Sequence, residues 1–146
     1  MKRRNILGVV LAGVALVALP ATALAQFPPD PPSTYYGSAT GQAVGTKVVA
    51  LIGDGGSFVA CGVGDVVLDS GNPVYVVDAF SDSQRAGCGK TGRVVRFYFS
   101  PTGANPGRLA NETSSWAGSG PKNLNLTAGP ALAVRSNIAG VTSDKK

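Results

Sequence analysis

The sequence predicts an all-β fold: one seven-stranded Greek-key-type β-sandwich, preceded by a signal peptide and a proline-rich leader. Glycine is abundant, 20 in 146 residues, and short Val-, Thr- and aromatic-rich runs alternate with Gly, Pro, Asn and Asp clusters. Beyond residue 25, no window of about a dozen residues carries the apolar stripe of an amphipathic helix. The remaining length, about 120 residues, suits one domain with one core.

Residues 1–25 read as an export signal. Lys2, Arg3 and Arg4 form a cationic start, and Ile6 to Leu19 is an apolar run too short to span a bilayer comfortably. Pro20 breaks the run, and Ala23-Leu24-Ala25 supplies small residues, which places signal cleavage between Ala25 and Gln26. No cysteine follows the run to take a lipid. The mature protein is expected to be secreted or extracytoplasmic (periplasm, cell surface or medium), with no membrane insertion after cleavage. Three of the 13 basic residues and none of the 8 acidic ones lie in this segment, so the mature chain carries +2 rather than +5. Its remaining Lys and Arg are scattered and form no stripe for a phosphate backbone, which argues against a nucleic-acid partner.

The elements follow in order. Residues 26–33 contain "FPPDPP", whose prolines lack the amide donor of a strand ladder and predict an extended leader. The domain is expected over 34–130, with strands near 34–40, 46–53, 57–61, 73–80, 92–99, 109–116 and 122–128, and a polar flexible tail over 131–146. "GDGG", 53–56, tolerates positive φ between two apolar runs and predicts a tight hairpin. "GVGDVV", 62–67, holds part of a dinucleotide fingerprint without a βαβ context and reads as a turn. "SGNP", 70–73, stops one segment and sets φ for the next. In 92–99 a period of two puts Val95, Phe97 and Phe99 into the core and Val94, Arg96 and Tyr98 on the opposite face. "SPTGANPG", 100–107, is the loop that follows. In the last strand Leu124 and Leu126 face in, and Asn123 and Asn125 face out.

Cys61 and Cys88 are the only cysteines, and in an exported chain a disulfide between them is the expectation. The chain has no histidine, which removes the usual Ser-His-Asp triad and the usual zinc sites. Asp65/Asp69 and Asp78/Asp82 are carboxylate pairs four apart. Glycoside hydrolysis by two carboxylates requires a defined cleft and one raised pKa, so both pairs read as solvated turn residues. A calcium site drawn from Asp54, Asp65, Asp69, Asp78 and Asp82 requires six to eight converging oxygens. "NET", 111–113, and "NLT", 125–127, match glycosylation sequons, but the short basic signal has a prokaryotic look and both are read as strand residues. No catalytic residue, metal or cofactor is assigned. The candidate ligand-stacking aromatics are Tyr35, Tyr36 and Trp116, with Tyr75 and Tyr98 as further members of a sugar platform. Against this stands the habit of small sandwiches to bury their tryptophan.

"YYGSATGQAVGTKVVALI", 35–52, with "ACG", 60–62, and the closing "FYF…ANETSSW…LNLT", resembles the immunoglobulin-like and carboxypeptidase-regulatory-like (prealbumin-like) β-sandwich modules of secreted and surface prokaryotic proteins. The resemblance spans Tyr35 to Thr127 and implies a scaffold rather than a reaction. "SDSQRAGCGKTG", 81–92, departs from it by its density of turns. The expected function is therefore non-catalytic: extracellular binding or adhesion, with a protein or glycan partner. The alternative is a structural subunit of an extracellular assembly that self-associates through the leader, docked on a neighbour's sheet edge. A small aspartate-dependent hydrolase stands third.

Overall fold

The structure is a computed structural model and describes residues 28–53, 57–102, 106–131 and 138–139. The signal segment 1–25, Gln26 and Asp54 lie outside the described residues. The strands are β1 (Ser33–Thr40), β2 (Lys47–Ile52), β3 (Phe58–Asp69), β4 (Asn72–Ala79), β5 (Val94–Phe99), β6 (Arg108–Ser115), β7 (Gly120–Asn123), β8 (Leu126–Ala131) and β9 (Ile138–Ala139). Every strand expected from the sequence has a counterpart. The last is split into β7 and β8, and β9 falls within the segment read as a tail.

The architecture is not an open sandwich. Seven strands close into a mixed barrel in the order β2-β5-β6-β8-β1-β4-β3, and β3 returns to pair with β2. The ring is antiparallel except at β1, which runs parallel to β8 and, along its first half, parallel to β7. Closure leaves β2 paired on both edges, with β3 and with β5. A barrel removes the free edges that a sandwich keeps.

The element that turns the corner is β3, which is 12 residues long. Val59 to Asp65 pair with β2, and its last four residues pair with β4. "GVGDVV" is thus strand rather than turn, and its glycines serve close packing. A Cβ on Gly62 would stand 1.9 Å from the Asp78 carbonyl oxygen, and one on Gly64 would stand 1.9 Å from that of Val76. Glycine inside a strand marks such an approach of neighbouring backbone. Opposite them, β2 carries a register shift between Ala50 and Leu51, a second device for bending a sheet. Gly64→Ala is therefore expected to cost more than about 2 kcal/mol in urea unfolding, because the obstructing atom is backbone and has no rotamer to change. Gly41→Ala, whose Cβ meets nothing within 4 Å, isolates the cost of positive φ alone.

The β3–β4 hairpin closes through Ser70 (φ 51°) and Gly71 (φ 81°) between the paired Asp69 and Asn72. Two consecutive positive φ values make the type I′ geometry that matches strand twist. Of "GDGG", residues 54–56 lie outside the described residues; the strands that flank it pair as far as Ile52 with Val59.

Alternation fills the barrel. Tyr35, Ala39, Val48, Ala50, Ile52, Tyr75, Val77, Val95, Phe97, Phe99 and Leu126 all point inward and are buried. Phe97 sits between two tyrosines, edge-on to Tyr35 at 5.1 Å between centroids and tilted against Tyr75 at 6.2 Å. Val94 and Arg96 face solvent as the pattern predicts, and Leu124 packs at the core's margin. Tyr98 departs from expectation. It shares the outer face with Arg96, yet it is buried with Val49, Leu51 and Ala60 in a second apolar cluster, flanked by Phe58 and Leu109. Gly107 lies against its phenol ring, leaving no room there for a side chain.

Candidate functional site

One seam of the barrel is closed by side chains instead of ladder rungs. The β6–β8 pairing stops at Ala110↔Ala128. Beyond it, Glu112 accepts from the Thr127 amide (2.8 Å) and hydroxyl (2.7 Å), and Lys122 Nζ donates to the Ser115 carbonyl at 2.8 Å. The Tyr75 hydroxyl donates to the Leu124 carbonyl at 2.8 Å, where β7 gives way to β8. Burial pushes the Tyr75 and Tyr35 phenols upward, and the charge of Glu112 adds to the effect at Tyr75. At Glu112 burial acts to raise the pKa, but the two Thr127 hydrogen bonds outweigh it and the carboxyl lies below its ordinary value. Both phenols are therefore held neutral, and that of Tyr75 satisfies the backbone carbonyl of Leu124.

Among the described residues the aspartates do not converge. Asp65 pairs with Lys47 on the surface, Asp69 ends β3, and Asp78 accepts from the Thr34 hydroxyl. Asp82 anchors the 80–92 loop. Lys90 hydrogen-bonds its carboxylate, the Gly87 amide donates at 2.9 Å and Arg93 at 3.0 Å, and together they hold it down to about 2. Among the described residues no three His, Cys, Asp or Glu side chains come together as a metal site. A folded-state pKa below the ordinary carboxylate value gives stability that is present above that value and lost as the pH falls through the folded one. Between pH 4 and 2 the melting temperature of the wild type is expected to fall, and Asp82→Asn should flatten that limb. An unchanged acid limb in the variant would reject the assignment.

The disulfide expected from the sequence is present, Cys61 to Cys88, with Cα atoms 5.5 Å apart and both residues buried. It is what an oxidising, extracytoplasmic setting supports. The leader is engaged on its own domain at Asp30, whose carbonyl accepts from Ser81 Oγ at 2.7 Å and whose amide donates to Ser83 Oγ at 2.9 Å.

The candidate stacking aromatics are separated by the fold. Tyr35 is wholly buried inside the barrel, with Lys122 Nζ 5.5 Å from its ring centre. Trp116 is 4% exposed, lies against Gly89 and reaches the Ala79 carbonyl at 3.4 Å. Tyr75 and Tyr98 are buried as well. These rings build core, and they correct the reading of a shared platform. Tyr36 alone of the named candidates is displayed, 40% exposed.

Around Tyr36 the outer face of β1, β4 and β7 forms a shallow groove of about 390 Å³. Register makes it: Tyr36 lies opposite Val76 on β4 and Asn123 on β7, and Ser38 lies opposite Val74. Val74, Val76 and Tyr36 supply apolar surface, while Asn123, Asn125 and Asp69 supply polar rims. Val76 is 56% exposed, and Val67, opposite Val74 on β3, continues the apolar face. Sequence reasoning placed Asn123 and Asn125 correctly on outward positions and named Tyr36 as a stacking candidate, but missed Val74, Val76 and Asp69 as groove residues. These join the groove only through the β1–β4 register and the hairpin turn.

The chain is thus an all-β, disulfide-bonded closed barrel with an amide-rimmed surface groove. Comparison with protein-family models, curated proteins and solved structures finds no match for it.

Proposed function

We propose that this domain is an extracytoplasmic, non-catalytic binding module that engages its partner through the outer face of β1, β4 and β7. The exposure of Tyr36 beside Val76 carries this reading. Outward positions of a barrel are ordinarily polar, and a contiguous apolar patch with a polar rim marks an interaction site. The rigid strands beneath it hold its side chains in fixed positions, which reduces the ordering cost of binding. The assembly alternative is disfavoured by Asp30, which is hydrogen-bonded to Ser81 and Ser83 of the same chain.

The test is co-sedimentation of the mature protein with insoluble cell-envelope material. Tyr36→Ala is expected to weaken retention about tenfold or more with its melting temperature nearly unchanged, whereas Val94→Ala, exposed on β5, should bind as the wild type does. Equal retention of both variants would reject this face as the site.

A further inference from the structure

We infer that the ligand of this groove is an uncharged pyranose unit of an extracellular carbohydrate, an inference that rests on the binding reading above. Size is the first argument. A groove of about 390 Å³ lies at the lower end of small-molecule sites and fits one or two sugar rings rather than a protein epitope. Its apolar part is the second. The Tyr36 ring with Val74 and Val76 presents a flat surface to the CH face of a pyranose, and the tyrosine adds a polar edge.

The uncommitted hydrogen-bonding groups give the third argument. Among the described residues neither the Tyr36 hydroxyl nor the Asn123 amide has a hydrogen-bond partner. Asn125 spends its Oδ1 on the Ser38 amide at 3.0 Å and keeps its NH₂ group. Asp69 receives the Ser70 hydroxyl at 3.3 Å on one oxygen and keeps the other. Donors and acceptors therefore stand side by side. Each sugar hydroxyl is both a donor and an acceptor, so neighbouring hydroxyls require this mixture.

Charge and strand pairing narrow the choice further. Among the described residues no Lys or Arg lines the groove, and the one charged lining residue is Asp69. A phosphate, sulfate or uronate would approach a carboxylate with no cation to offset it. At β1, the strand that carries Tyr36, a peptide cannot enter by strand addition, because β1 is paired on both sides, with β4 and with β7 and β8. An occupant over Tyr36 therefore sits on the side chains.

The experiment is a titration of the ¹⁵N-labelled mature protein, followed by NMR. The probes are neutral oligosaccharides of gluco-, galacto-, manno- and N-acetylglucosamine units, with trigalacturonate as the anionic comparison. At least one neutral probe should shift the resonances of Tyr36, Asn123 and Asn125 saturably, and trigalacturonate should bind about tenfold more weakly or less. Tyr36→Ala should lose about tenfold in affinity, whereas Tyr36→Phe, which keeps the ring, should lose about threefold or less. Tighter binding of trigalacturonate would overturn the charge argument and with it the inference. If no neutral probe shifts these residues while envelope retention still depends on Tyr36, the carbohydrate inference fails and the binding face stands. If both are negative, both fail.

Discussion

Phe97→Ala is expected to destabilise the domain by about 3–5 kcal/mol, measured by urea unfolding with the fluorescence of Trp116 as the probe. Phe97 is fully buried at the centre of the barrel, in contact with Tyr35 and Tyr75. Truncation removes the transfer free energy of the ring and leaves a cavity, and the cost depends on how far the neighbours collapse into it. Here one of them is held. The Tyr75 hydroxyl is bonded to the Leu124 carbonyl, so moving that ring inward strips a backbone carbonyl at the seam, whereas the Ser115 carbonyl, which Tyr35 reaches at 3.5 Å, keeps Lys122 Nζ at 2.8 Å. The loss should therefore fall toward the upper end of the range. One residue earlier on the strand, Arg96 faces solvent, with its guanidinium 5.8 Å from the centre of the Phe58 ring. An exposed cation–π contact sustains about 0.5–1 kcal/mol, so Arg96→Ala should cost no more than that. Equal losses at the two positions would show that the register of β5 is wrong.

The contrast between those two residues marks what a sequence states clearly. A period of two separates Phe97 from Arg96 in any half-buried strand, and it separates Leu126 from Asn125 in the same way. It says nothing about how the strands are ringed, because sandwiches and barrels alternate inward and outward residues alike. Closure depends on β3, whose length is hidden by Gly62 and Gly64. In isolation those glycines signal a turn; beside β4 they are the space its carbonyls occupy. Tyr98 was misplaced for a related reason. Alternation put it outside the barrel correctly, but whether the outside is water or a second apolar cluster depends on Val49, Leu51 and Leu109, which lie far away in sequence. The groove shows the same division. Adjacent tyrosines in one strand must face opposite ways, so one of Tyr35 and Tyr36 had to point away from the barrel interior. That Tyr36 meets Val76 and Asn123 is a fact of register, and register between distant strands is fixed by the whole barrel.

Removing the Cys61–Cys88 bond is the second large perturbation. Cys61→Ala with Cys88→Ala should cost about 2–4 kcal/mol. The bond closes a loop with a sequence separation of 27, and restricting the unfolded chain by that length is worth roughly 3.5 kcal/mol on the entropy model. Local structure adds to this. Cys61 belongs to β3 and Cys88 to the 80–92 loop, so the bond ties that loop to the barrel wall. Next to Cys88, Gly89 is covered by the Trp116 indole, and a Cβ there would lie 2.0 Å from its Nε1. The loop retains other ties without the bond: Asp82 to Lys90 and Arg93, and the Gly89 amide to the Phe80 carbonyl at 2.9 Å. The alanine variant should accordingly fold, with a lower urea midpoint. The double serine variant should be less stable still, since it places two hydroxyls where the sulfur atoms are buried, and an unpaired buried hydroxyl costs about 1–3 kcal/mol. Intact-mass measurement after alkylation decides the premise. Protein isolated from the extracytoplasmic fraction should take up no alkylating reagent until reduced and denatured, and then two equivalents. Two thiols labelled in the native protein would show that the barrel stands without the bond, and the entropy argument would then have nothing to act on.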